Sequence, residues 1–246
     1  MKKVIVITGA ANGIGRQIAV DLDSKQNILC LCDNDKSIID LKKKINHSEC
    51  FVSVGDVCDE IFVRSFIQKI IKRYRKIDVL INNAGIVPYA EVNLTNTDLF
   101  FSVLKINLGG YFLFSKEISN FMKKQHFGNI INISSISSIQ GIFGQSAYAS
   151  SKGGINALTR VLAKELGPYN IRVNAIAPGS IIVNRNKIKM LSKWNNKELI
   201  NKSIPLGRLG KPKDISGVVK FLISKSSGYI HGTVIVVDGG KTIVGN

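Results

Sequence analysis

Seven short apolar runs punctuate the chain, at 3–8, 27–32, 50–55, 77–82, 128–134, 170–176 and 233–237, most of them rich in Val and Ile. Their apolarity is nearly continuous rather than alternating, the pattern of strands covered on both faces. Between them lie longer segments of helical period, near 13–23, 35–46, 59–76, 97–126, 147–167 and 212–224. Strand and helix therefore alternate as in repeated βαβ units. The expected fold class is α/β, a single-domain, doubly wound parallel sheet of about seven strands with helices on both faces. No repeat, low-complexity tract or linker marks a boundary within 1–246. One stretch breaks the rhythm: 180–211, rich in Lys, Asn and Ile, follows Pro178-Gly179 and lies between two late strands. Ligands of an open parallel sheet bind beyond the carboxyl ends of its strands, so an insert there suits a substrate lid.

Composition changes this picture little. With 45% hydrophobic and 21% charged residues the chain has the apolar content of a packed core, which excludes a disordered protein. The excess of 34 Lys+Arg over 17 Asp+Glu, a formal +17, raises the question of polyanionic partners. A nucleic-acid footprint requires clustering. Here the basic residues recur in small groups, such as Lys42, Lys43 and Lys44, or Lys72, Arg73, Arg75 and Lys76, with no interleaved stacking aromatics. Neither a nucleic-acid partner nor a membrane is expected, since no run reaches the 18 or so apolar residues of a span.

Cys30, Cys32, Cys50 and Cys58 lack zinc-site spacing and are too few for a disulfide scaffold, so reduced, mostly buried thiols are expected. His47, His126 and His231 are scattered and read as surface or capping residues, with no metal. The amino-terminal apolar stretch is too short for a signal peptide, and the expected location is the cytoplasm.

The first strand runs into Thr8-Gly9-Ala10-Ala11-Asn12-Gly13-Ile14-Gly15 and then a helix. Glycines allow a tight turn and close approach of backbone to a pyrophosphate, which the free amides and dipole of a helix start also favour. The spacing is G-x-x-x-G-x-G, which departs from the G-x-G-x-x-G fingerprint. Asp33 ends the second strand, where a dinucleotide fold needs an acid for the adenosine ribose. Its carboxylate accepts from ribose hydroxyls and repels a 2′-phosphate, so NAD(H) is preferred and NADP(H) disfavoured; Arg16 is a guanidinium that could reach a phosphate. Gly55-Asp56-Val57 and Asn82-Asn83-Ala84-Gly85 end the third and fourth strands with turn-forming residues suited to an adenine slot and a ribose.

Tyr148 and Lys152 stand four apart on one helix face. A neighbouring ammonium favours the phenolate, which brings the phenol closer to a usable base at neutral pH. Ser134 or Ser135, at the end of the fifth strand, could hold the reacting oxygen. Asn107 is an unfavourable residue inside a helical segment, which hints at a polar task such as holding a water for proton exchange.

Thr8-Gly9…Gly13-Ile14-Gly15, Asn82-Asn83-Ala84-Gly85, Asn107, Ser135 with Tyr148-Ala149-Ser150-Ser151-Lys152, Pro178-Gly179 and Val237-Asp238-Gly239-Gly240 follow in this order. Over nearly the whole chain they resemble the classical short-chain dehydrogenase/reductase family. The resemblance implies a Rossmann-type fold and a catalytic tetrad of Asn107, Ser135, Tyr148 and Lys152, with Ser135 chosen because the family serine stands 13 before the tyrosine, and Lys152 also on the nicotinamide ribose. It implies cofactor contacts from Gly9, Asn12, Gly13, Ile14, Asp33, Asp56, Val57, Asn83, Ala84, Gly85 and the backbone near Ile181. It further implies a homotetramer paired through 97–126 and 147–167. Two positions refine it: Asn12 stands where NADP-preferring members often carry a basic residue, and Val183 where many carry a threonine for the carboxamide.

The resulting expectation is an NAD(H)-dependent oxidoreductase interconverting a secondary alcohol and a ketone of a sugar, polyol or small hydroxy compound. The alternative is a 3-oxoacyl-[acyl-carrier-protein] reductase, whose acidic carrier a basic surface would welcome, although His126 and Tyr169 align with its two docking arginines. A non-catalytic nucleic-acid-binding or regulatory Rossmann protein gives an intact tetrad no purpose. Ile139, Ile142, Phe143, Met190, Leu191 and Trp194 suggest an apolar part of the substrate pocket.

Overall fold

Val4, Ile5, Val6 and Ile7 are fully buried, so β1 (Lys3–Thr8) is covered on both faces, as its unbroken apolarity requires. The computed structural model describes residues 2–183 and 197–244. Among them, β1 is joined by β2 (Asn27–Asp33), β3 (Glu49–Val54), β4 (Val79–Asn82), β5 (Gly128–Ile133), β6 (Ile171–Pro178) and β7 (Val234–Val237). All pair in parallel, in the order β3-β2-β1-β4-β5-β6-β7. The order reverses between β1 and β4, and the crevice beyond their carboxyl ends is where such sheets bind ligands.

The alternation of side chains along each strand divides the core in two. Val4, Val6 and Cys30 pack with Phe66 and Ile70 of α3 (Glu60–Tyr74), Phe114 and Ile118 of α5 (Gly110–Gln125) and Ala163 and Leu166 of α6 (Ser146–Leu166). On the other face Ile5, Ile7, Leu29 and Leu31 meet Ile18 of α1 (Gly13–Asp21), Leu41 of α2 (Ile38–Lys42) and Ile215 and Val219 of α8 (Pro212–Leu222). The doubly wound architecture is as the periodicity predicts. A buried polar line crosses the sheet behind the crevice: Asn82 donates to Ser115 (3.1 Å) and to Asn132 (2.9 Å), and Asn132 donates to Thr159 (2.9 Å).

Two helical expectations need correction. The segment 35–46 is helical only over Ile38–Lys42. Upstream, Asp33 and Asp35 accept from the amides of Asp35 and Ser37 and hold a turn; downstream, Asp23 accepts from the amides of Asn46, His47 and Ser48 and pulls the chain off the helix. The segment 97–126 is not one helix. α4 (Thr97–Leu104) passes into a π-helical stretch, Lys105–Gly109, before α5 begins. Such an insertion carries an extra residue per turn and often accompanies a functional position; here it contains Asn107.

Of the expected lid, 184–196 lies outside the described residues, and with it Met190, Leu191 and Trp194. Its flanks are ordered by two backbone bonds, Gly210 N to Ser180 O (2.9 Å) and Ile182 N to Gly210 O (2.8 Å). Between them come α7 (Lys197–Ser203) and the buried Ile204. Among the described residues no helix is long and apolar enough to cross a membrane, no cluster of three metal-ligating side chains forms, and all four cysteines are free. His126 caps α5 with a left-handed backbone, and His231 bonds to Val173 N and Ala163 O, so both are structural.

Candidate active site

Gly9 and Gly13 have positive φ, 64° and 56°, which L side chains rarely adopt. A Cβ on Gly9 would stand 2.6 Å from Ala84 Cα, and one on Gly15 would collide with the Gly9 carbonyl and the Asn83 side chain. The loop between β1 and α1 is thus a backbone-lined cradle that side chains would fill. Asn12 is the N-cap of α1, with extended backbone and no side-chain cap bond, so the amides of the first helical turn lack intrahelical partners and suit an anion.

Asn83 locks the cradle to the end of β4. Its amide nitrogen donates to Thr8 O (3.1 Å) and Gly9 O (2.8 Å), while Thr8 Oγ1 accepts from the backbones of Asn83 (3.0 Å) and Ala84 (3.1 Å). Asp33 is fixed by Ala11 N on one oxygen (2.8 Å) and Asp35 N on the other (3.0 Å). A carboxylate has about four lone-pair positions, so hydroxyl donors can still be accepted. Asn12 donates to Asp35 at 3.0 Å, which sets a second carboxylate beside Asp33, and Arg16 turns back to Ala11 O at 3.1 Å. At the end of β3, Asp56 accepts from Cys58 N (2.9 Å) and Val57 is buried against Gly110. Gly85 lies against Asn107: a Cβ there would meet its Oδ1 at 3.0 Å. Donors, acceptors and bare backbone thus ring the crevice and fit a dinucleotide.

The tetrad candidates lie just past the end of β5, on the π-helical stretch and on α6. Asn107 is fully buried, and its side chain accepts from Ile86 N (2.8 Å) while donating to Ile86 O (3.0 Å) and to Ser151 Oγ (3.1 Å). Both its N–H groups are therefore engaged with protein, and the side chain acts as a tie between the loop after β4 and α6. Ser134 turns away, donating to Asn156 Oδ1 at 2.7 Å. Ser135 accepts from Ser137 N at 3.1 Å and donates its hydroxyl proton to Ser137 Oγ at 3.1 Å, with its side chain beside the Tyr148 phenol. Ser137 passes its own proton to Gln145 at 2.8 Å. Lys152 is buried and donates from Nζ to the Ile133 carbonyl at 2.7 Å; the nitrogen stands 5.6 Å from the centre of the Tyr148 ring.

Titration departs from the expectation for this pair. Burial pushes the Tyr148 phenol up, with Ser135 pulling it part of the way back, and burial lowers Lys152 to about 7. Desolvation penalises both charged forms, and a half-neutralised lysine is a weaker aid to a phenolate than an ammonium in water would be.

Ile181 forms an isolated bridge to Gly210, and Val183 packs over Gly13, its Cγ1 3.4 Å from where a Cβ would stand. Tyr89 and Phe143, both exposed, face each other at 6.3 Å beside Gly144, whose φ of 72° and missing Cβ make room for the Tyr89 ring. Sequence reasoning missed Tyr89, Ser137, Gln145 and Tyr111. The Tyr111 hydroxyl donates to the Ile133 carbonyl at 3.0 Å. Only for Tyr111 was a signal available, a phenol at a core position of an amphipathic helix, which needs a buried partner.

A family model described as enoyl-(acyl carrier protein) reductase matches residues 9–242. The 3-oxoacyl-[acyl-carrier-protein] reductase of Thermotoga maritima is 38% identical, with 98% of each chain covered. An NAD-dependent glycerol dehydrogenase of Listeria innocua is 33% identical over 98% of this chain and 94% of its own. The crystal structure of levodione reductase superposes with a TM-score of 0.92 at 34% identity, covering 99% of this chain and 98% of that one.

Proposed function

The chain belongs to the short-chain dehydrogenase/reductase family of oxidoreductases, and on that premise we propose that it is an NAD(H)-dependent enzyme interconverting a secondary alcohol and a ketone. The observation that carries the proposal is the convergence of Ser135 and Lys152 on Tyr148 at the carboxyl end of β5, beside the glycine cradle. Gly9, Asn12, Gly13, Ile14, Asp33, Asp56, Val57, Asn83, Ala84, Gly85 and the backbone at Ile181 would hold the dinucleotide, and Lys152 its nicotinamide ribose. When bound, the nicotinamide accepts or delivers the hydride. Tyr148 takes the alcohol proton in oxidation and returns it in reduction. Ser135, its oxygen held by Ser137 N–H, would turn its proton from Ser137 Oγ to the substrate oxygen and stabilise charge there. The Lys152 ammonium favours the phenolate, and Asn107 holds the Ile86 backbone at the rim of the site.

Asp33, with Asp35 tied to Asn12 beside it, favours NAD(H) over NADP(H), since a 2′-phosphate would meet two carboxylates. On the same reading the chain is a single domain with 180–211 as its substrate lid, of which 184–196 lie outside the described residues. A homotetramer pairs through α4, α5 and α6, where Phe101, Leu104, Leu108, Phe112 and Leu158 line an apolar groove. The four free cysteines agree with a cytoplasmic setting.

A second reading, reduction of a 3-oxoacyl thioester on a carrier protein, is supported by the Thermotoga relative and by a basic surface. At the positions of the docking arginines, His126 and Tyr169 face each other at 6.1 Å with Lys123 over the tyrosine ring at 5.1 Å. Titration with NADH and NADPH, followed by turnover against polyols, sugars, cyclic ketones and an acetoacetyl thioester, separates the two. Tighter NADH and a polyol or ketone substrate support the first reading; tighter NADPH and thioester reduction overturn it in favour of the second.

A further inference from the structure

We infer that Tyr111 is a positioning residue for Lys152, fixing the place of the ammonium through the Ile133 carbonyl and through the face of its own ring. The inference rests on Lys152 being a working group of the site, as proposed above. Tyr111 is the second residue of α5, is fully enclosed, and points at the end of β5. Its hydroxyl and Lys152 Nζ donate to the same oxygen, Ile133 O, at 3.0 and 2.7 Å. A carbonyl has two lone pairs, and the two donors occupy both. The same nitrogen lies 5.2 Å from the centre of the Tyr111 ring and 5.6 Å from that of Tyr148. The ammonium is therefore held between two tyrosine faces, one on its own helix and one supplied by α5.

This arrangement answers a physical difficulty. A primary ammonium among apolar residues is strongly disfavoured, and a four-carbon stem can place it in many ways. The groups that face it are a phenol from α5, a phenol from α6 and a carbonyl from β5. A desolvated cation over an aromatic face gains about 0.5–2 kcal/mol, which raises the share of lysine that remains charged and keeps that charge beside Tyr148. The hydroxyl of Tyr111 anchors the ring edge to the oxygen that receives the lysine, so ring and ammonium share one reference point.

The test is a titration of Lys152 by NMR of protein carrying 13C-labelled lysine, with the signal identified by its loss in Lys152→Met. Tyr111→Phe keeps the ring, and the lysine midpoint is expected to stay where it is in the unaltered protein. Tyr111→Leu removes the ring, and the midpoint is expected to fall by about 0.4–1.5 pH units, the equivalent of a lost cation–π contact. Turnover in the Leu variant should then fail at a lower pH, because the charged lysine is lost sooner as pH rises. Should Tyr111→Leu not fold, Tyr111→Met removes the ring with an unbranched, more adaptable apolar side chain and carries the same expectation. A midpoint that does not move without the ring, or that falls equally in Tyr111→Phe, overturns the inference. Since the midpoint is read without substrate, loss of the proposed reaction altogether would leave this result standing.

Discussion

Asn107 and Ser151 are joined by a 3.1 Å hydrogen bond that ties the π-helical stretch to α6 one residue before Lys152. The same amide group holds both backbone groups of Ile86, so one side chain connects three segments around the site. In Asn107→Ala those partners are left without it, and unsatisfied buried groups cost about 1–3 kcal/mol each. We expect a clear fall in melting temperature and at least about a tenfold fall in kcat by loss of positioning, with NADH affinity changed less. Unaltered stability would mean that the tie does not constrain the fold.

Asp33 carries a charge that can be removed with little change of shape. Asp33→Asn keeps an acceptor toward Ala11 N and abolishes much of the repulsion of a 2′-phosphate. For a partly exposed pair this is worth about 1–2 kcal/mol, or roughly a tenfold loss of NADH-over-NADPH preference. The ratio of kcat/KM for the two cofactors measures it. Asp35 remains in Asn12's reach, so the single change should weaken the preference without reversing it.

Lys152 makes the fold less stable than an apolar residue would. Burial lowers its pKa from 10.5 to about 7, so between those values the unfolded chain binds the proton and the folded protein does not. Stability therefore rises with pH across that window, and below about 7 the full penalty is present. Lys152→Met should raise stability by about 1–3 kcal/mol near pH 6, with the advantage shrinking toward pH 10. Urea unfolding at several pH values tests this; an advantage constant with pH would show that desolvation of the ammonium is not its source.

Much of this was legible in the sequence, for identifiable reasons. Strands buried on both faces leave unbroken apolar runs, so β1 to β7 stand out along the chain, and the glycines at 9, 13 and 15 mark backbone that side chains would obstruct. What was not legible depends on distant partners. The helix expected over 35–46 is cut short by Asp23, more than twenty residues upstream of Asn46. Tyr111, a phenol at a core position, shows in the sequence that it needs a buried partner, but which partner is visible only when the Ile133 carbonyl and Lys152 are placed beside it. The upward push on Tyr148 comes from burial, which the i, i+4 spacing with Lys152 does not encode.

The most direct test of the central claim is Tyr148→Phe, assayed for NADH binding and for turnover of whichever carbonyl the unaltered enzyme reduces. The account predicts that NADH affinity stays within about threefold while turnover falls by about 10²–10⁴, the usual contribution of a positioned acid or base. Turnover at the original rate with the phenol removed would contradict the assignment of Tyr148 as the proton donor, and with it the mechanism proposed for this site.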